Sequence, residues 1–64
     1  MARMFNVYGV KDGTESFFAS VSSAVMGKAV FVDLEKQGYE YGRLRDCLGG
    51  LRFEFNLKTK RKTA

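Results

Sequence analysis

Tyr39, Tyr41, Arg43 and Arg45 stand at alternate positions, so in an extended chain all four side chains leave one face. Aromatic rings stack on unpaired bases and cationic groups meet phosphates, so this spacing suits a single-stranded polyanion. Across a hairpin, Arg52 and Lys58 fall on the same face, beside Cys47, Glu54 and Asn56. The run Lys58-Thr59-Lys60-Arg61-Lys62 then leads away from it. Lys and Arg number 11 against 7 Asp and Glu, a net charge of +4. Up to Leu57 the two signs balance at 7 each, so the whole excess lies in that final run. A neutral body with a cationic tail suits phosphate neutralisation with counterion release. The plainer alternative is a solvated, disordered end. The face has a plainer alternative too, because Arg45 across from Glu54 makes an ordinary cross-strand ion pair.

Other chemistry finds little support. Histidine is absent and Cys47 is the single cysteine, so there is no Ser-His or Cys-His pair, no disulfide within the chain and no zinc site. Arg45 and Arg52 are the cations placed to activate Cys47, but a thiol without a base is better read as structural or incidental. Asp33 with Glu35, and Asp46 with Glu54, are acidic pairs in a chain too short to enclose a ligand cavity of about 300 Å³. The stretch Ser22-Ser23-Ala24-Val25-Met26-Gly27-Lys28-Ala29 fails as a phosphate loop: Ser22 stands where the first glycine belongs, and Ala29 replaces the magnesium-holding hydroxyl. No cofactor, no metal and no catalysis are expected.

The elements that position these residues follow from periodicity and glycine placement. Residues 4–10 read as a strand, Asp12-Gly13 as a tight hairpin turn, and residues 14–21 as the returning strand. Ser22 or Ser23 then caps a helix from Ala24 to Gln37, with Gly38 as its left-handed stop. Met26, Gly27, Val30, Phe31 and Leu34 share one arc of that helix, and Gly27 marks a close approach to the sheet. Residues 39–48 and 51–58 read as two further strands joined through Gly49-Gly50. In that register Leu48 pairs with Leu51, Asp46 with Phe53, Leu44 with Phe55 and Gly42 with Leu57. Leu44, Leu48, Leu51, Phe53, Phe55 and Leu57 then face the helix, and Asp46 sits awkwardly among them. The fold class is α+β: a four-stranded antiparallel sheet with one helix packed on it, in the order β-β-α-β-β. Residues 1–57 form a single compact domain, and 58–64 a basic C-terminal tail.

A chain of 64 residues buries a marginal core, although six phenylalanines and three tyrosines supply it well. With no disulfide or metal available, self-association is the remaining staple. A homodimer is expected, with a well-packed monomer as the alternative. The lone thiol suggests a reducing, cytoplasmic setting. Residues 1–6 lack a signal-peptide pattern and no run is long enough to span a membrane.

The sequence therefore points to a small non-catalytic binding protein. Nucleic acid is the first expected partner, through Tyr39, Tyr41, Arg43, Arg45, Arg52, Lys58, Lys60, Arg61 and Lys62. The alternative is an accessory protein of phage or plasmid type that binds and inhibits or adapts a larger host protein. Tyr and Arg are also favoured anchors of protein interfaces, so the same face serves both readings.

Overall fold

Asp12 and Gly13 both adopt positive φ, 53° and 77°, which gives the twist that a two-residue hairpin needs. They join β1 (Phe5–Lys11) to β2 (Thr14–Val21). The computed structural model describes residues 4–63; residues 1–3 of the expected domain and Ala64 of the expected tail lie outside them. After β2 come α1 (Ala24–Lys36), β3 (Tyr41–Asp46), β4 (Leu51–Asn56) and β5 (Arg61–Lys62). Ser23 caps α1, its hydroxyl accepting from the Met26 amide at 3.2 Å. Gly38, at φ 87°, takes the left-handed position beyond the helix end.

The fold is α+β, with one helix and an antiparallel sheet ordered β2-β1-β3-β4-β5. The sheet has five strands and not the expected four, because the basic C-terminal run folds back. The Asn56 side chain accepts from the amides of Lys58 and Thr59 at 2.9 and 3.0 Å. Lys60 then takes φ 61° and Arg61–Lys62 pairs with Phe55 and Asn56. Side-chain capping of a turn by Asn is a local signal independent of hydrophobic pattern.

The second hairpin differs in register. Leu44 pairs with Phe53 and Gly42 with Phe55, two residues away from the expected match. The cause is Asp46, whose carboxylate accepts from the amides of Leu48 and Gly50 at 3.0 and 2.8 Å and widens the turn. This is also why an acid could stand at that end of an apolar strand. A shift of two keeps every side chain on its face. Beyond Leu44, however, a bulge pairs Arg45 with Leu51. Leu51 thereby leaves the helix side, and Leu48 stands in the turn, 92% exposed.

The core cluster lies between α1 and the sheet. Val7, Leu34 and Leu44 are fully buried, with Phe31, Val21 and Leu57 packed around them. The helix sits close because glycines lie beneath it and within it. A Cβ on Gly27 would come 2.5 Å from Leu44 Cδ1, and one on Gly42 would meet the Phe31 ring at 2.8–3.0 Å. The helix backbone approaches β1, β2 and β3 but not β4. Gly42→Val should therefore cost about 1–3 kcal/mol by overpacking against Phe31. Urea unfolding checks this, and an unchanged midpoint would contradict the packing described.

Candidate functional site

Two surfaces emerge. The first is the sheet face away from the helix, where Tyr41, Arg43 and Arg45 of β3 project beside Tyr8 and Phe17. Pairing of β1 with β3 brings Glu15 of β2 within reach of both arginines. Arg43 Nη1 meets Glu15 Oε1 at 2.8 Å, and Arg45 Nη2 meets the same oxygen at 3.0 Å. On its other side Arg43 Nε donates to Glu54 Oε2 at 2.5 Å. Arg45 also donates to the Gly49 carbonyl at 3.0 Å and passes over the Tyr8 ring, 5.9 Å from its centroid. Tyr8 in turn meets Phe17 edge to face.

This is a ladder of charges that satisfy one another. Hydrogen bonds from Arg45 and then Arg43 hold the Glu15 carboxyl below its ordinary value despite partial desolvation. Thr63 and then Arg43 do the same for Glu54. Hydrogen bonds to Glu15 and Glu54 push the Arg43 guanidinium up. Both arginines are thus engaged by acids before any ligand arrives.

The second surface lies between α1 and β4. Because the helix backbone does not reach β4, the rings of Phe53 and Phe55 extend past its cover. They stack at 6.1 Å, and Phe31 stacks on Phe53 at 5.8 Å. Together with Val32 and Leu57 they floor an open groove of about 270 Å³. Val32 stands at its rim, 53% exposed. Lys60 pairs with Glu35 at one end. At the other, Lys28 Nζ lies 4.5 Å over the Phe53 ring and Lys62 Nζ lies 5.6 Å from the same centroid. There the groove meets a second hollow, which shares Lys28 and Phe53 and is also lined by Arg52, Lys62 and Leu44.

The residues expected to form one polyanion-binding face are spread over several. Tyr41, Arg43 and Arg45 do share the open sheet face. Arg43, and not Arg45, stands across from Glu54. Tyr39 precedes β3 and lies on the helix side, where its ring meets Phe18 edge to face. It lies there because Gly38 turns the chain and the Tyr39 amide donates to the Leu34 carbonyl at 3.1 Å. The bulge removes Arg52 from the face; its Nη1 lies 4.0 Å from Asp46. Lys58 sits in the last turn and pairs with Glu40 at 3.2 Å. Arg61 and Lys62 leave β5 on opposite faces. Glu15 was not singled out in the sequence, and Lys28 only within the rejected phosphate-loop stretch. Lys28 follows the apolar arc of α1 closely enough to flank it, whereas the role of Glu15 depends on the strand order.

Among the described residues no cluster of acids or cysteine could hold a metal, and no helix is long and apolar enough to cross a membrane. No family model, curated protein or solved structure matches the chain.

Glu15 and Glu54 are both held below their ordinary values, so their contribution to stability is full above the usual carboxylate range. It disappears as pH falls through and below that range. The urea midpoint should fall on acidification, and the fall should be smaller in an E15Q/E54Q double variant. An identical acid dependence in both proteins would contradict the ladder.

Proposed function

We propose that this chain is a non-catalytic protein-binding module that docks its partner in the groove between α1 and β4. The observation that carries this reading is the stacked Phe31, Phe53 and Phe55 floor, left open where the helix does not cover β4. Aromatic side chains in such a hollow are the common anchors of protein interfaces. The groove is open and small, which suits capture of a few side chains better than enclosure of a substrate. The partner is a larger protein that the module inhibits or adapts.

Nucleic acid gains less support from the geometry. A phosphate approaching Arg43 or Arg45 must displace Glu15 or Glu54. Tyr39, one of the two expected stacking rings, packs on Phe18 instead.

Affinity capture from nuclease-treated extract of the source cell separates the two readings. We expect a partner that survives nuclease and moderate salt and is lost with Val32→Asp, whose exposed position leaves the core intact. Capture abolished by nuclease, together with oligonucleotide binding that fades steeply with salt, would overturn the proposal.

A further inference from the structure

We infer that the segment docked in this groove carries acidic side chains at one end and apolar side chains at the other, its carboxylates meeting Lys28, Arg52 and Lys62. The inference rests on the protein-binding reading and adds the chemistry of the partner. Three cations line the hollow at the Phe53 end of the groove. Lys28 and Lys62 converge on one ring, and neither has a carboxylate partner among the described residues. Among the described residues the one acid that Arg52 reaches is Asp46, at 4.0 Å, and that carboxylate is already held by the amides of Leu48 and Gly50.

Like charges gathered around one ring repel, and an incoming carboxylate removes that repulsion while accepting charge-assisted hydrogen bonds. The opposite end of the groove is neutral, because Lys60 is paired with Glu35. Its floor there is Phe55 and Leu57, which offer only apolar contact. The groove is therefore polarised along its length. A purely apolar segment leaves the cations unmatched, and a bare polyanion leaves the aromatic floor uncovered. A segment with acids at one end and Leu or Phe side chains at the other satisfies both.

The test is fluorescence anisotropy of the full chain with a labelled peptide that carries Glu at one end and Leu and Phe at the other. Two control peptides carry Gln for Glu, or Ala for Leu and Phe. We expect saturable binding of the first peptide alone, weakened at least about tenfold in a K28Q/K62Q double variant, as loss of hydrogen bonds to charged groups predicts. Both lysines are exposed, and an unchanged melting curve confirms that the variant is folded. Equal binding of the Gln peptide, or no effect of K28Q/K62Q, would overturn the inference. So would a single-stranded oligonucleotide that competes the peptide away at lower concentration. Dimerisation in sedimentation that Val32→Asp abolishes would overturn it in favour of a second copy as the occupant. If partner capture depends on Val32 but the acidic peptide never binds, the protein-binding reading stands and the acidic segment is rejected.

Discussion

How near α1 can lie to the sheet is set by positions that have no side chain. Gly27 lets the helix settle on Leu44, and Gly42 leaves room in the sheet for the Phe31 ring. That closeness lets one helix of 13 residues bury Val7, Leu34 and Leu44 fully in so short a chain. It also limits what the helix can cover. Seated low over β1, β2 and β3, it leaves the aromatic side chains of β4 to form a floor without a roof. The groove is thus a consequence of how the core is packed, and it is lined by residues whose partners within the chain hold them in place.

The two faces of the sheet divide the electrostatics. On the open face, strand order brings a glutamate from β2 and another from β4 to the same arginine, and the charges close on each other. Partly covered pairs of this kind contribute modestly to stability and leave little field for a distant ligand. On the helix side Lys28 and Lys62 stand against an aromatic ring with no acid to answer them among the described residues. The net charge of +4 is therefore a poor guide to partner by itself. What matters is which of the positive groups are already paired.

Much of the fold was legible in local chemistry. Asp12-Gly13, the Ser23 cap and the Gly38 stop mark the first hairpin and the helix, and Gly27 does mark a close approach. The face of β3 and most of β4 also followed from alternation, since the register error was an even number of residues. The parts that were not legible depend on side chains acting on the backbone. Asp46 enlarges a turn that Gly49-Gly50 alone would have made tight, and Asn56 turns the basic run back onto β4 as a fifth strand. The site was less legible still. Glu15 lies 28 residues from Arg43 in sequence, so its pairing required knowing that β1 lies beside β3. Phe53 and Phe55 read simply as core, because nothing in the sequence says how far the helix reaches.

The account turns on which surface meets a partner. Site-specific photocrosslinking in the source cell decides it, with a benzophenone amino acid placed at Val32 on the groove rim or at Phe17 on the open sheet face. Both positions are more than half exposed, at 53% and 58%, so either substitution leaves the core undisturbed. The account predicts a discrete protein adduct from position 32 and none from position 17. An adduct from position 17 alone, to protein or to nucleic acid, would contradict it.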